Sequence, residues 1–244
     1  MDGPRLLDLN PALDAPALAA AFARDRRVQI RDVLTDASAR TIHRVLAAHT
    51  PWGMAWQAGA RGPERLRADE LAAMPPADRQ ARSQAMLAAM RGTGYAFGYS
   101  SYPMVDAYLG QWMPGGPHDR VLEQLNDRPV LELVRAITGI AELIKADAQA
   151  TLYAPHHFLA VHNDEHADAG RRVAYVLGLC AEDWRPDWGG YLNFYDDDGD
   201  VIAGYRPRFN ALNLFAVPQR HNVGFVPPFA PVARYAITGW FRDR

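Results

Sequence analysis

Cysteine, long apolar runs and net charge are all scarce in this sequence. Cys180 is the only cysteine, so no disulfide can form within the chain, which fits a reducing compartment. It ends the apolar run Val173–Cys180, where a free cysteine is typically a buried small hydrophobic residue rather than a nucleophile. The sequence therefore predicts neither a disulfide-stabilised fold nor thiol chemistry.

No stretch of the chain has the apolar length that a bilayer-spanning segment needs. The first residues, MDGPRLLDLNPALDAP, have acids where a signal peptide has bases, and they lack its apolar centre. The formal net charge of −2 and the pI of about 6.4 favour neither nucleic acid nor a membrane surface as a partner. We therefore expect a soluble, cytoplasmic protein with no nucleic-acid or membrane partner.

Length and composition are sufficient for a sizeable core, with 244 residues of which 49% are hydrophobic. We expect a single domain over residues 1–244, with a mainly helical N-terminal part over 1–140 and a strand-rich core over 141–244. The predicted elements of the first part are helices at Ala15–Asp25, Ala37–His49 (with Asp36 as N-cap) and Ala77–Arg91, two helical pieces in Leu122–Ile140 that separate at Pro129, and a short strand at Arg27–Ile30. Two segments rich in Gly and aromatic residues are predicted as loops that either line a pocket or cover a sheet edge: Thr50–Gly59 and Gly92–Pro103.

After Ile140 the pattern changes to short apolar runs separated by turn residues. The runs are Ala148–Tyr153, Phe158–His162, Val173–Cys180, Tyr191–Tyr195, Ala211–Val217, Asn222–Val226 and Arg234–Phe241. Their number and spacing favour an α+β chain with a mainly β core, built as a β-sandwich or jelly roll. The acidic segment Asp196–Asp200 lacks the distal Glu and the flanking helices of an EF-hand, so we interpret it as a hairpin turn.

An H-x-D element, His162-Asn163-Asp164, directly follows the apolar residues FLAV. On a β-strand, residues i and i+2 project to the same face, so His162 and Asp164 can both point into a barrel. His221, 59 residues after His162, begins another apolar run and can supply a third ligand. Two histidines and one carboxylate on one face of a metal leave three positions open, which is the facial triad of non-haem Fe(II) oxygenases. A 2-oxo acid can occupy two of these positions and O₂ the third.

Arg234 opens the last apolar run, 13 residues after His221. Its apolar neighbours predict an inward-pointing guanidinium, and a buried arginine without an anion is costly. Arginine also binds carboxylates best, through bidentate charge-assisted hydrogen bonds. We therefore expect Arg234 to hold the far carboxylate of 2-oxoglutarate.

Three alternatives use the same residues. HNDEH (His162–His166) matches the H-x-x-E-H pattern of inverzincin hydrolases, but that pattern must lie on a helix, whereas FLAV favours a strand and Asn163 and Asp164 are poor helix formers. His162 and His221 could instead be ordinary polar residues at strand ends. A third alternative is a metal- and 2-oxoglutarate-binding sensor without turnover, because a fold does not imply a function.

The second half of the chain resembles the prolyl-hydroxylase-like branch of the 2-oxoglutarate/Fe(II)-dependent dioxygenase superfamily. The matching segments occur in the family's order and are Leu152–Asp164, Arg171–Leu179, Asp183–Tyr195, Phe209–Phe215, His221–Val223 and Arg234–Phe241. Arg26–Leu46 also resembles the strand-then-helix entry of such enzymes. The resemblance implies a double-stranded β-helix, which is a jelly-roll or cupin-like fold, with N-terminal buttressing helices.

The resemblance also implies a set of cofactors and ligands. His162, Asp164 and His221 match the iron ligands of the family, and Arg234 matches the residue that pairs with the C5 carboxylate of 2-oxoglutarate. The implied cofactors are Fe(II), 2-oxoglutarate and O₂, with ascorbate as an optional addition.

Three further positions of the co-substrate pocket follow from the same resemblance. Tyr153, nine residues before His162, matches a tyrosine whose hydroxyl helps to bind 2-oxoglutarate, and Thr238 and Trp240 match positions that line its pocket. The family's usual glycine three residues after that tyrosine is absent, and His156 stands there. This departure affects the turn that positions Tyr153.

The reaction implied by the resemblance is a hydroxylation coupled to oxidative decarboxylation of 2-oxoglutarate to succinate and CO₂. Asp164 favours hydroxylation over halogenation, because related halogenases lack this carboxylate. The expected substrate is a prolyl or other amino-acid residue of a protein or peptide, with a free amino acid or other small molecule as the alternative. Five aromatic residues of the first half are candidates for lining the substrate site: Trp52, Trp56, Tyr95, Phe97 and Tyr99.

Overall fold

The computed structural model of the chain describes residues 5–165, 170–180 and 183–244. Its helices are α1 (Ala15–Asp25), α2 (Asp36–Ala48), α3 (Ala68–Ala73), α4 (Pro76–Arg91), α5 (Met104–Leu109), α6 (Pro117–Leu125) and α7 (Arg128–Thr138). Its strands are β1 (Arg27–Arg31), β2 (Gly53–Ala58), β3 (Arg61–Leu66), β4 (Ala96–Tyr102), β5 (Lys145–Ala146), β6 (Gln149–Tyr153), β7 (Phe158–His162), β8 (Arg171–Gly178), β9 (Leu192–Tyr195), β10 (Val201–Tyr205), β11 (Ala211–Ala216), β12 (His221–Val223) and β13 (Arg234–Arg242).

Side-chain caps fix where the first two helices begin. At the start of α1 the Asp14 carboxylate accepts a hydrogen bond from the backbone N–H of Ala17, and the bounds of this helix are as predicted. The cap of α2 is Thr35, whose hydroxyl accepts a hydrogen bond from the N–H of Ser38. The prediction of Asp36 as the cap was wrong, because Asp36 is already the first helical residue.

Pro129 does not separate the last two helices. Helix α6 ends at Leu125 and α7 begins at Arg128, so Pro129 lies in the first turn of α7. A proline is tolerated there because the N–H that it lacks would have no partner within the helix. The predicted break at this residue was therefore wrong by about one turn.

The two segments predicted as aromatic loops contain strands. Thr50–Gly59 includes β2 and Gly92–Pro103 includes β4, which pair with each other from Gly53 opposite Ser101 to Ala58 opposite Ala96. Aromatic residues pack well on a pleated surface, and this preference outweighs the turn signal of the glycines. The loop prediction was wrong, and β4 lies inside the sheet because it also pairs with β6 and β7.

The strands form antiparallel pairs in the order β1-β11-β8-β13-β6-β4-β7-β12-β9-β10, with β2, β3 and β5 attached at the side. The sheet curls into a nearly closed barrel, with helices packed on its outside. This arrangement confirms the predicted jelly roll, or double-stranded β-helix, with helices. Among the described residues four strands precede residue 140, so the first part of the chain contributes to the barrel as well as to the helical layer.

Alternation along β13 separates the inside of the barrel from the helical layer. Ile237 and Phe241 belong to the large core cluster that includes residues of α1, α2, α6 and α7. Ala236 faces the opposite side, in a cluster with Phe194 and Phe215. Arg234, Thr238 and Trp240 have the same parity as Ala236 and line the inner cavity. Because side chains alternate along β13, these three candidate site residues lie on the same wall of the cavity.

Cys180 is buried, as predicted, and burial raises the pKa of its thiol to about 11. The thiol is therefore protonated at neutral pH and is a poor nucleophile. Among the described residues no helix is both long and apolar enough to cross a membrane.

His118 in α6 gives a prediction for the pH dependence of stability. Its ring is buried, with Nε2 2.9 Å from the Thr50 hydroxyl oxygen, and burial with a smaller contribution from His49 lowers its pKa to about 4. The unfolded chain binds a proton at this residue below about pH 6.5, whereas the folded chain does so only near pH 4. The stability that neutral His118 contributes is thus complete above pH 6.5 and is lost as the pH falls towards 4.

We expect His118→Gln to flatten the pH dependence of unfolding. Urea titrations at pH 7 and pH 4.5 should show that the variant loses less free energy of unfolding between the two values than the unmodified chain does. The difference is bounded by about 1.4 kcal/mol for each unit of pKa shift. An equal loss in both proteins would show that His118 does not control this dependence.

Candidate functional site

A cavity of about 540 Å³ lies inside the barrel. All seven residues predicted for the metal and co-substrate site line it: Tyr153, His162, Asp164, His221, Arg234, Thr238 and Trp240. Three of the five aromatic candidates line it too, namely Tyr95, Phe97 and Tyr99. A cavity of this size is typical of small-molecule and cofactor sites.

His162, Asp164 and His221 form a cluster that could hold a metal ion, with one ligand atom from each within 4.8 Å of the others. The Asp164 carboxylate lies between the rings, with Oδ1 3.3 Å from Nε2 of His162 and Oδ2 3.4 Å from Nε2 of His221. Two imidazole nitrogens and a carboxylate are a donor set that suits Fe(II). The observed geometry thus fits the metal for which these residues were predicted.

Strand pairing brings the two histidines together. His162 is the last residue of β7 and His221 the first of β12, and they are Cα partners in the antiparallel register, with ring centroids 4.2 Å apart. Asp164 lies beyond the end of β7 and has φ of +62°. The explanation by strand alternation was therefore wrong for Asp164, which reaches the cluster through a left-handed turn.

Backbone carbonyls orient both rings. Nδ1 of His162 lies 2.9 Å from the carbonyl of Ala160, and Nδ1 of His221 lies 2.8 Å from that of Gln219. When each Nδ1–H donates to its carbonyl, Nε2 keeps its lone pair and faces the cluster, as in metal-binding histidines. Both rings are thereby prepared to act as neutral ligands.

Electrostatics favour the same protonation states. Burial, and then the neighbouring His162, lower the pKa of His221 to about 4, so this ring is neutral at pH 7. Burial alone would raise the pKa of Asp164, but its contacts with His162 and His221 outweigh that effect, and the pKa lies below the usual value. Asp164 is therefore ionised, so the cluster combines an anionic carboxylate with the neutral ring of His221.

The alternative motifs are not supported where the structure describes them. Residues 163–165 of HNDEH are not helical, and the last residue of that motif, His166, lies outside the described residues. The acidic segment Asp196–Asp200 connects β9 and β10, and the Asp196 carboxylate accepts a hydrogen bond from the N–H of Asp200. It is a hairpin turn, as predicted.

Arg234 lies at one end of the cavity and is only 3% exposed. Its Nη1 is buried without a hydrogen-bond partner, and no ion pair involves this guanidinium among the residues that the structure describes. Leaving such a group unpaired is costly, so the end of the cavity is suited to an anion. The inward orientation predicted for Arg234 agrees with this position.

Tyr153 lies directly across the strand pair from Arg234 and is its Cα partner. The guanidinium carbon of Arg234 is 5.1 Å from the centre of the Tyr153 ring, which stacks on Tyr99 at 5.0 Å. Burial, with a smaller contribution from Tyr99, raises the pKa of Tyr153 well above its usual value. Its phenol is therefore neutral and can donate a hydrogen bond.

The turn after Tyr153 has the backbone that a glycine would favour. His156, which stands where the resembling family usually has glycine, has φ of +73°. A non-glycine residue in this region is uncommon, and the ring of His156 lies near that of Phe225, at 6.1 Å. His156 thus adopts the left-handed backbone that glycine favours, and Tyr153 lines the cavity.

Two of the aromatic candidates were wrong. Trp56 is fully buried on the other face of β2, in a cluster with Met86 and Phe158, because Ala55 and Gln57 take the positions that face the cavity. Trp52 packs against the helical core, and its indole N–H donates to the carbonyl of Leu46.

Several cavity residues were missed by the sequence interpretation. Besides Asn163 and Glu165, which flank Asp164, the polar ones are Gln57, Arg65, Gln149 and Arg171. These four residues come from four different strands of the barrel, β2, β3, β6 and β8. No local pattern marks them, although Arg171 opens a segment that resembles the family.

Comparisons with known proteins agree with this geometry. The sequence model described as "2OG-Fe(II) oxygenase superfamily" matches residues 148–242. A search of the curated proteins finds no match.

Solved structures with similar folds include several oxygenases. A Pseudomonas putida prolyl-4-hydroxylase has a TM-score of 0.53 at 20% identity, with 94% of this chain and 99% of that chain covered. An oxidoreductase of the 2OG-Fe(II) oxygenase family from Burkholderia pseudomallei has a TM-score of 0.62 at 14% identity, with 97% and 93% covered. The non-heme alpha-ketoglutarate-dependent epimerase SnoN from nogalamycin biosynthesis has a TM-score of 0.55 at 14% identity, with 94% and 82% covered. These likenesses confirm the fold.

We expect Asp164→Ala to weaken metal binding strongly while the fold is kept. Removal of the only carboxylate of the cluster should raise the Kd for Mn(II), a redox-stable substitute for Fe(II), by more than about tenfold. Calorimetry measures the Kd, and circular dichroism checks the fold. Asp69→Ala is the matched control, because Asp69 is an exposed carboxylate at the start of α3 that does not line this cavity. If both variants bind Mn(II) as the unmodified chain does, the metal lies elsewhere.

Proposed function

We propose that this chain, whose residues 148–242 match the model of the 2OG-Fe(II) oxygenase superfamily, is a member of that superfamily and hydroxylates an unactivated C–H bond of an amino-acid substrate. Enzymes of this family are dioxygenases that use Fe(II), 2-oxoglutarate and O₂. The observation that supports the proposal most directly is one cavity that contains both a His-Asp-His cluster and a buried arginine with an unpaired nitrogen.

His162, Asp164 and His221 are the proposed iron ligands, through the two Nε2 atoms and the carboxylate. Three protein ligands leave three positions open, and a bound Fe(II) supplies redox and Lewis-acid chemistry at those positions. The backbone carbonyls of Ala160 and Gln219 hold the rings in place. The protein thereby fixes the ligand geometry before any substrate arrives.

Arg234 and Tyr153 are the proposed partners of 2-oxoglutarate. The buried guanidinium can form a bidentate pair with the C5 carboxylate, and the neutral phenol can donate a hydrogen bond to the same group. Thr238 and Trp240 follow Arg234 along the same face of β13 and line the same cavity, with Thr238 nearer to Arg234 and Trp240 at the far end of the strand. This arrangement points the oxo-acid end of the co-substrate away from Arg234.

The overall reaction balances as 2-oxoglutarate, O₂ and R–H giving succinate, CO₂ and R–OH. One oxygen atom of O₂ enters succinate and the other enters the hydroxyl group of the product. The apolar and aromatic residues of the cavity, including Phe97, Leu192 and Phe215, limit the access of water to the reacting atoms.

Two substrate classes remain candidates. The fold similarity to a prolyl-4-hydroxylase supports a prolyl or other residue of a protein or peptide. The cavity of about 540 Å³, which must also hold 2-oxoglutarate, supports a free amino acid or other small molecule. The single cysteine, Cys180, which is free and buried, supports a cytoplasmic location for either reaction.

The direct test is turnover of 2-oxoglutarate. The purified chain with Fe(II) and O₂ should convert 2-oxoglutarate to succinate, measured by mass spectrometry, and the rate should increase with a pool of free amino acids and peptides. If no succinate forms with any pool and calorimetry detects no binding of 2-oxoglutarate, the oxygenase proposal is wrong. Binding of 2-oxoglutarate without succinate would instead support the sensor alternative.

We expect Arg234→Ala to raise the KM for 2-oxoglutarate by roughly two to four powers of ten, because loss of one partner of a buried charge pair costs about 3–5 kcal/mol. Succinate formation at increasing 2-oxoglutarate concentration measures this change. Arg185→Ala, at an exposed arginine paired with Asp187, is the matched control and should leave the KM unchanged. A normal KM in Arg234→Ala would mean that another residue binds the co-substrate.

A further inference from the structure

Two more arginines, Arg65 of β3 and Arg171 at the start of β8, line the same cavity. Together with Gln149, Thr238 and Trp240 they also line a smaller adjoining cavity of about 270 Å³. Arg65 and Arg171 therefore lie in one region, where the two cavities adjoin.

This region is far from Arg234. Arg171 stacks on Trp240, with its guanidinium carbon 3.7 Å from the ring centre, and Trp240 is six residues beyond Arg234 on β13. A strand rises about 3.3 Å per residue, so Trp240 and Arg234 are roughly 20 Å apart along β13. One 2-oxoglutarate molecule bound by Arg234 cannot also reach this region.

The guanidinium of Arg171 lacks an acidic partner within the described parts of the chain. It takes part in no ion pair there, and its Nε is buried without a hydrogen-bond partner. Burial lowers the pKa of Arg171, opposed by the negative charges of Asp164 and Asp147 and reinforced by the positive charges of Arg242 and Arg65. Arg171 lines the same cavity as His162, Asp164 and His221, so its guanidinium and the metal cluster border one space.

The nearby carboxylates already have other partners. Asp147 forms an ion pair with Arg242, with Oδ2 3.0 Å from Nε, and its Oδ1 accepts a hydrogen bond from the backbone N–H of Trp240. Gly239 permits this contact, because a Cβ there would collide with the carbonyl oxygen of Asp147. Asp147 thus holds Trp240 in place and leaves Arg171 free to bind a ligand.

Arg65 has only a weak partner. Its Nη1 lies 3.6 Å from a carboxylate oxygen of Asp106, and both side chains are more than half exposed. Such a pair contributes little and can be exchanged for a better anion. One unpaired guanidinium and one partly neutralised guanidinium match a ligand with a single negative charge, which favours a carboxylate over a phosphate ester.

We propose that Arg171, assisted by Arg65, binds a free carboxylate group of the substrate, so that the enzyme hydroxylates a small carboxylic acid such as a free amino acid. This inference rests on the proposed oxygenase function and decides between its two substrate classes. An internal residue of a peptide has no α-carboxylate, because that group is part of the peptide bond. Trp240 supports the guanidinium plane, and the position near Asp164 places the bound substrate beside the metal cluster.

The test compares molecules that differ only in the carboxylate. The Fe(II)-loaded full chain is supplied with 2-oxoglutarate, O₂ and each of the twenty free L-amino acids or the corresponding carboxamide, and with peptides that carry proline internally or at a free C-terminus. Succinate and hydroxylated products are measured by mass spectrometry. At least one free acid should be hydroxylated, with a kcat/KM more than about tenfold above that of its amide, since a lost charge-assisted hydrogen bond changes binding by about this factor.

Substitutions assign that preference to Arg171. Arg171→Gln should reduce the acid-to-amide ratio of kcat/KM towards one, mainly through the KM of the acid, and Arg171→Lys should restore part of it. Arg172→Gln is the matched control, because Arg172 is the next residue and pairs with Asp243 at the surface. It should keep the full ratio. A merely structural role of Arg171 would lower the rates with acid and amide equally and would leave the ratio unchanged.

The outcomes separate this inference from the oxygenase proposal. If the chain forms succinate but hydroxylates acids and amides equally well, prefers internal peptide residues, or responds to none of the acids, the carboxylate inference is overturned and the oxygenase proposal stands. Hydroxylation of C-terminal proline peptides alone would also overturn the small-molecule assignment. If no 2-oxoglutarate binds or reacts under any condition, both proposals fail together.

Discussion

The pairing of β7 with β12 is the constraint on which the rest of the site depends. It places His162 opposite His221, and the turn after β7 then brings Asp164 between them. A slip of one residue would turn His221 to the other face of the sheet. Further pairing of β7 with β4 and of β12 with β9 prevents such a slip, so the barrel itself holds the metal cluster together.

Two arginines with unpaired buried nitrogens determine which ligands the rest of the cavity can bind. Arg234 stands at one end and Arg171 in the region near Trp240, and each has a buried nitrogen without a partner among the described residues. Such groups reduce the stability of the empty fold, and a bound anion recovers that free energy, so ligand binding and stability are coupled. The two positions lie too far apart for one small anion, which is why we assign them to two different carboxylates.

Much of the barrel could be predicted because its strands carry local signals. The runs after Ile140 correspond to strands within a few residues, and β7 has the predicted bounds Phe158–His162. β10 was missed, since Val201 and Ile202 are exposed and only Ala203 and Tyr205 pack, partly buried, against the inner cluster. β2 and β4 were missed because the mixture of glycine and aromatic residues in their segments is typical of loops, and only their pairing makes them strands.

Some residues of the site could likewise be identified from the sequence, and others could not. The residue types His162, Asp164, His221 and Arg234 were recognisable because their chemistry is restrictive, yet the left-handed conformation of Asp164 has no signature in the sequence. Arg171 could not be identified at all. Its role depends on the stacking with Trp240, which belongs to a strand some seventy residues later and becomes a neighbour only through the pairing of β8 with β13.

The most direct test of this account is a crystal structure of the chain grown without oxygen, with Mn(II) and 2-oxoglutarate. We expect one metal ion bound by Nε2 of His162, Nε2 of His221 and the carboxylate of Asp164, with the C5 carboxylate of 2-oxoglutarate on Arg234. A metal bound elsewhere, or a 2-oxoglutarate whose C5 carboxylate lies on Arg171 instead of Arg234, would contradict it.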